Sequence, residues 1–495
     1  MNTGESWPDF DEAWSRVRRM QAKLHWWAIR DPGRVFEDLH NLVSDPAFLV
    51  HAWERVRSNK GGRTAGVDGV KPASIPRNSM VLLSRLRTEL KDRSFRPDRV
   101  REKSIPKPGS TDKKRRLGIP TAGDRIVQAA LKLVLEPIFE ADFQPGSYGF
   151  RPNRRAQDAI AEIHLFGNRG YTWVLEADIE ACFDRIDHTA LMDRMRHRIR
   201  DKRVLALVKS FLKAGILSED GIDREALTGT PQGGILSPLL ANIALSVLDD
   251  HYQHKWDAFS AGKPSPNAGW QGRQRERRNG GATYRLVRYA DDFVVLVNGE
   301  RHHAEQARTE VADILAPMGL TLSEPKTHVV HMDTGFDFLG WRIQRRTKPG
   351  TVNKAVIHTY PSKKSLASIM RKVKFHTRRS APYKTLADML FHLNRTVRGW
   401  CLYFRHGVSF ATYRYLQHYT WVRAMRWLYK RHSRLSWRKV LRRYCTPAPM
   451  RRPAENGIVL YNPTDTGIER YRWRGYTIPT PWSNAAQRLA TTTPA

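Results

Sequence analysis

Two acids stand side by side in VRYADDFVVLV (287–297), Asp291 and Asp292, between apolar runs that read as strands. Ahead of them Tyr284, Leu286 and Arg288 alternate with Arg285, Val287 and Tyr289, and behind them Phe293 to Val297 run apolar. Adjacent carboxylates at the tip of a strand–turn–strand repel each other unless positive charge lies in front of them. A third acid, Asp178, ends another apolar strand in VLEADIEACFD. If the two strands neighbour one another in one sheet, Asp178 and Asp291 converge. Converging carboxylates suit hard divalent cations, and Mg²⁺ in particular where phosphates complete the shell. Two such ions support in-line phosphoryl transfer, one acting on the attacking 3′-hydroxyl and one on the leaving pyrophosphate. A Tyr-x-Asp-Asp match alone is short enough to be a structural turn, so the expectation depends on Asp178.

The elements that must position these acids follow from periodicity and punctuation. Trp14, Val17, Met20 and Leu24 fall at helical spacing within a helical first stretch of about 45 residues, and residues 77–95 read as a further helix. SNKGGRTAGVDGV (58–70) is a Gly-rich basic loop, and REKSIPKPGSTDKKRRLGIPT (101–121) a basic hairpin. A strand is predicted from Trp173 to Ile179, with two helical stretches after it to about Ala214. LTGTPQGGILSPLLANIALSVLDD (227–250) is a Gly-rich turn entering an apolar helix. The polar stretch 261–282 reads as a linker, and a helix from about His302 to Met318 precedes strands in SEPKTHVV and GFDFLGWRI.

Lys and Arg number 84 against 49 Asp and Glu, a formal net charge of +35. Such an excess repels itself and makes sense beside a polyanion, with nucleic acid first and an anionic membrane second. No apolar run approaches the ~20 residues of a spanning helix. The N-terminus lacks a signal peptide's basic head and apolar stretch, and no two of Cys182, Cys401 and Cys445 form a Cys-x-x-Cys pair. A protein of the reducing cytosol is expected, without a membrane partner. Between Asp337 and Glu455 the only acid is Asp388, while Lys and Arg continue among many aromatics at helical spacing. Helices serving solubility alone would carry both signs, so this region is expected to contact nucleic acid.

The ordered set NKGGRTAGVDGV, IPKPGSTDKKRRLGIPTAGDRIVQAAL, FQPGSYGFRPNRRAQDAI, EADIEACFDRIDH, GTPQGGILSPLLANIAL, RYADDF, SEPKTHVV and FDFLGW resembles the group II intron-encoded reverse transcriptase/maturase family. LNRTVRGWCLYFRHGVS to HSRLSWRKVLRRY is similar to that family's maturase, or thumb, domain. The resemblance implies an α+β right-hand polymerase: fingers and a palm with an antiparallel sheet, then an α-helical thumb/maturase domain. The expected divisions are a helical extension at 1–57, fingers at 58–170, palm at 171–350 with an insertion at 261–282, thumb at 351–450 and a short segment at 451–495.

Carried over position by position, the resemblance makes Asp178 and Asp291 the principal metal ligands, helped by the Ile179 carbonyl, with Asp292 in looser contact and two Mg²⁺ as cofactors. It sets Phe183 against the incoming sugar, where a flat ring disfavours a 2′-hydroxyl; ordinary core packing is its plainer role. Lys107, Arg115 and Arg116 would clamp the triphosphate. The family has Arg-Pro where this chain has Arg115-Arg116, and Arg115 aligns. Gln232, Gly233 and Gly234 match the loop beneath the templating pair, and Lys326 matches a lysine that protonates pyrophosphate. Arg151 lies in a template-side motif and is expected to contact RNA. Arg398, Arg405, Arg423, Arg426, Arg431 and Arg434 are the expected RNA contacts of the helical region.

The implied partners are group II intron RNA, an RNA template with a DNA primer, deoxynucleotides and target DNA, within a cytoplasmic ribonucleoprotein. The Cys-rich HNH endonuclease of many relatives is not expected, since no Cys follows Cys445. Two other functions are open at this point: an RNA-binding splicing cofactor with a spent site, and a domesticated reverse transcriptase of phage defence, spacer acquisition or repair. Retention of three crowded acids speaks against the first, and the maturase-like helices and Ala290 against the second.

Overall fold

The computed structural model describes residues 7–77, 79–106, 114–217, 223–224, 228–230, 233–262, 265, 267–348, 350–351 and 355–483. They divide into two compact units. Unit 1 draws on Met1–Arg155, Leu175–Val329 and Gly475–Ala495, and unit 2 on Ala156–Val174 and Val330–Arg474.

Unit 1 opens with helices α1 (Phe10–Arg30), α2 (His40–Val43), α3 (Pro46–Ser58) and α4 (Met80–Lys91). Local chemistry starts them: Asp9 accepts from Glu12 N at 2.8 Å, and Asp45 accepts from Ala47 N at 2.8 Å ahead of Pro46. The basic hairpin follows as β1 (Val100–Pro106) and β2 (Lys114–Ile119), paired so that Ile105 faces Arg115 and Ser104 faces Arg116. Helix α5 (Ala122–Glu140) is buried along most of its length, and α1 is hydrogen-bonded to it through Gln21 to the Leu133 carbonyl at 2.8 Å. The N-terminal helix is therefore part of unit 1 and not a separate extension.

Next come α6 (Ala156–Gly167), which belongs to unit 2, then β3 (Trp173–Asp178), α7 (Cys182–Arg185), α8 (His188–Arg196) and α9 (Lys202–Lys213). Short strands β4 (Ile216–Leu217) and β5 (Asp223–Arg224) complete a four-stranded sheet in the order β2-β1-β4-β5. The apolar helix α10 (Ser237–Asp257) leads into the stretch expected as a linker, where the structure has α11 (Ala268–Arg278). A helix this polar needs outside support. Arg273 supplies it by lying 3.8 Å from the Trp256 ring, and Gly272 brings the helix against Phe259.

The antiparallel hairpin β6 (Thr283–Tyr289) and β7 (Asp292–Asn298) pairs Tyr289 with Asp292, leaving Ala290 and Asp291 as a two-residue turn. Helix α12 (Arg301–Leu315) and strand β8 (His328–His331) follow, and the sheet order is β6-β7-β3-β8. Val174, Leu175, Val287 and Val294 to Val297 are fully buried, as the apolar runs required.

Unit 2 contains a sheet ordered β11-β10-β9, from β9 (Phe336–Phe338), β10 (Trp341–Thr347) and β11 (Ala355–Pro361). Helices α13 (Lys363–His376), α14 (Leu386–Phe404), α15 (Phe410–Arg431) and α16 (Trp437–Tyr444) follow, closed by the hairpin β12 (Ala454–Glu455) and β13 (Ile458–Val459). Asp158, fully buried on α6, pairs with Arg474 at 2.7 Å and accepts from Tyr471 at 2.9 Å. That pairing ties α6 to the end of unit 2 and explains why the unit is discontinuous in sequence, unlike the expected divisions.

Candidate active site

Strand β3 ends at Asp178 and the β6–β7 turn carries Asp291, so the sheet delivers both acids from strand ends. The two interact. Burial raises the Asp291 pKa, the charge of Asp178 raises it further, and Arg115 and Lys326 pull it back. Lys326 reaches Asp178 Oδ2 at 2.6 Å. Cys182 feels both acids as well: burial first, then Asp291, pushes its thiol up to about 12. Carboxylates 178 and 291 thus share one electrostatic neighbourhood with Lys326 and Arg115.

Asp292 is exposed at the start of β7. Among the described residues no three His, Cys, Asp or Glu side chains converge as a metal-holding group. Two hard oxygen donors, one of them destabilised by burial and by its neighbour's charge, still fit a divalent cation in ligand type and charge. The Ile179 backbone fits too. The bonds flanking it run from Glu180 N to Thr321 O (2.9 Å) and from Ser323 N to Asp178 O (2.8 Å), and use neither its N–H nor its carbonyl.

The turn itself is held from behind by Arg288, a residue whose role the strand pattern did not disclose. Its side chain is 0% exposed. Nε donates to Asp249 Oδ1 at 2.9 Å, one terminal nitrogen to Asn242 Oδ1 at 2.9 Å and to the Ala290 carbonyl at 3.0 Å, and the other to Ser147 Oγ at 2.7 Å and to Asp249 Oδ2. All five guanidinium N–H groups are used, which is what a buried arginine requires. Ala290, at φ +59°, is fixed through its carbonyl one residue before Asp291.

Glycines bring the neighbouring loops in. A Cβ on Gly149 would lie 2.2 Å from Ala290 N, so the GSYG stretch can run beside the turn only without a side chain there. Tyr148 N donates to the Arg288 carbonyl at 2.8 Å, and Arg288 N to Gly146 O at 2.9 Å. Gly229, at φ +82°, similarly admits the 228–230 loop against Phe183 and Asp184, and Thr230 N donates to the Phe183 carbonyl at 2.5 Å.

Arg151 needs a correction. It was expected to touch RNA, but it is buried, with Nε donating to Glu140 Oε2 at 2.9 Å and a terminal nitrogen to the Gln144 and Ser147 carbonyls at 2.6 and 2.8 Å. It braces the loop that flanks the acid hairpin. Arg115 and Arg116 are separated by strand alternation. Arg116 pairs with Glu102 at 3.2 Å, whereas Arg115 is the one whose charge reaches Asp291. Phe183 is half-buried, edge-on to Phe150 at 6.4 Å. Gly233 is exposed at φ +113° and backs onto the Gly118 carbonyl. Lys107 and Gln232 lie outside the described residues.

In unit 2, Arg398, Arg426 and Arg434 are exposed. The other three expected RNA contacts are partly engaged within the unit. Arg405 pairs with Glu469, Arg423 donates to Thr377 Oγ1 at 3.0 Å, and Arg431 donates to the Lys384 carbonyl at 2.5 Å.

Residues 105–343 match the reverse transcriptase (RNA-dependent DNA polymerase) family, and 366–445 match the group II intron maturase-specific domain. Protein YkfC of Escherichia coli K12 is 37% identical over 376 residues, which cover 72% of this chain and 97% of that protein. The group II intron-encoded protein LtrA of Lactococcus lactis subsp. cremoris is 32% identical over 364 residues, covering 65% of this chain and 59% of LtrA. No helix among the described residues is long and apolar enough to cross a membrane. With its acid hairpin preceding a matched maturase-specific domain, the chain belongs to the group II intron-encoded reverse transcriptase/maturase family.

Proposed function

We propose that the protein is an RNA-directed DNA polymerase that also binds group II intron RNA, assisting its splicing and its mobility by target-primed reverse transcription. The observation that carries this is the delivery of Asp178 and Asp291 from neighbouring strand ends of one sheet, with Lys326 2.6 Å from Asp178. The two acids would hold Mg²⁺ with the Ile179 carbonyl, and Asp292 would contribute from its exposed position. Bound there, two Mg²⁺ supply the charge that activates a primer 3′-hydroxyl and stabilises departing pyrophosphate.

The chain's own side chains do the rest. Arg115 meets the triphosphate with a planar guanidinium, and Lys107 adds a point charge. Phe183 stands against the deoxyribose. Gln232 and Gly233 support the templating pair, where a missing side chain lets backbone approach the duplex. Lys326, already beside Asp178, donates a proton to the leaving pyrophosphate oxygen. The exposed arginines of unit 2 hold the structured RNA, and the RNA itself performs the splicing chemistry. RNA template, DNA primer, deoxynucleotides and target DNA are the partners, in a cytoplasmic ribonucleoprotein.

Asp291→Ala is the test. Primer extension on an RNA template should fall by about three orders of magnitude or more, while RNA binding changes less than about twofold. Undiminished extension would overturn the assignment of the site, and equal loss of RNA binding would overturn the separation of roles.

A further inference from the structure

Unit 2 contains a cavity of 330 Å³ between α15 and the chain around β12–β13. That volume is at the small end of ligand sites, about 300–1,000 Å³, and suits one nucleotide better than a helix or a duplex. Its walls combine three kinds of group. Trp421 and Tyr461 supply flat faces, and both are fixed: Trp421 Nε1 donates to the Arg451 carbonyl at 2.7 Å, and the Tyr461 hydroxyl is hydrogen-bonded to Thr466 Oγ1. Leu460, 3% exposed, supplies an apolar floor.

The remaining lining is polar and only partly engaged: Asn462 is bonded to Asp465 and Thr464, and His418 is exposed. Gln417 is half-buried and its carboxamide has no hydrogen-bond partner among the described residues, leaving a donor and an acceptor for the edge of a base. Arg414 is exposed and makes no ion pair among the described residues. Arg452 makes a 3.4 Å contact with Asp465, yet its buried Nε has no partner.

A second observation concerns the surface outside. Trp421 lies edge-on to Trp437 at 6.4 Å, and Trp437 to Tyr429 at 6.2 Å. Trp437 is 43% exposed and Tyr429 46%. Exposed Arg434 and Arg438 flank this run of rings. Rings in file among cations are what successive unpaired bases stack on, whereas a free mononucleotide would need only the cavity. A paired duplex offers no base face to such a run.

We propose that this cavity takes one unstacked nucleotide of a single-stranded RNA segment, whose neighbouring bases lie along Trp437 and Tyr429. The proposal rests on the assignment of RNA binding to unit 2. It names the form of RNA that this surface selects, an unpaired stretch and not a helix.

The test measures binding of the full-length protein to a labelled oligoadenylate RNA of roughly twelve nucleotides, set against an RNA duplex of similar length. The double variant Arg414→Ala/Gln417→Ala removes two side chains that make no hydrogen bonds among the described residues. It and Trp421→Ala should each weaken single-strand binding about tenfold, with less than about a twofold effect on the duplex, whereas Trp421→Phe should keep most of the affinity. Equal losses on strand and duplex, or no loss on either, would overturn the pocket. Equal affinity for oligodeoxyadenylate would overturn its assignment to RNA, and competition by AMP at the oligomer's own concentration would mark a mononucleotide site instead. If the unaltered protein bound neither RNA, the RNA-binding role of unit 2 would fail; binding that ignores every variant would sink the pocket alone.

Discussion

In unit 1 the arginines that brace the acid edge from behind are inside the protein: Arg288 is closed over Asp249, and Arg151 over Glu140. In unit 2, Arg398, Arg426 and Arg434 stand at the surface of a region almost without acids. The difference follows from what each charge must do. A carboxylate that is to hold a cation in one place needs a turn that does not move, and a buried, fully bonded guanidinium fixes that turn while giving up its own access to ligand. A surface that is to hold a polyanion of variable shape needs cations that stay hydrated and free until counterions are released. Burial costs unit 1 something visible: it pushes Asp124 up to about 7 and Asp142 up to about 6.

Mutations that exchange the two regimes should break the contrast. Asp249→Ala leaves Arg288 buried without its partner and should cost about 3–5 kcal/mol of unfolding free energy, measured by urea denaturation of the full chain. A loss below about 1 kcal/mol, the scale of a surface pair, would mean that the network does not hold the turn. Within the hairpin, Arg115→Ala should raise the KM for deoxynucleotide about tenfold or more, because a bidentate phosphate partner is lost. Arg116→Ala, which loses only its pairing with Glu102, should leave KM within about twofold. Equal effects would show that strand alternation does not separate the two roles. In unit 2, replacing Arg398, Arg426 and Arg434 together should lower the slope of log affinity against log salt by about 2, at ~0.7 per phosphate contact on single-stranded RNA. Arg423→Ala and Arg431→Ala, each already bonded within the unit, should change that slope by less than about 0.5 apiece.

The acids, their strands and the basic helical region were legible in the sequence because each depends on local pattern. Apolar runs ending in Asp178 and Asp291 specify strand ends, and the missing acids between Asp337 and Glu455 specify a cationic surface. What stayed hidden depends on tertiary partners. Arg151 and Arg288 look like any cations in a basic chain, and only Glu140 and Asp249, far off in sequence or on another element, turn them inward. Arg288 did leave a signal, a charge between the apolar Val287 and Tyr289 in a strand otherwise headed for the core. Helix α11 was missed because its support is one stacked arginine and not a hydrophobic face. The discontinuity of unit 2 was not legible because Asp158 pairs with Arg474 across more than three hundred residues.

The most direct test is Mn²⁺ binding to the full chain, followed by electron paramagnetic resonance with primer, template and a non-reacting nucleotide present. Tight binding should be lost in both Asp178→Asn and Asp291→Asn and retained in Arg426→Ala. Tight binding that survives either asparagine would contradict a shared cation site at the ends of β3 and β6.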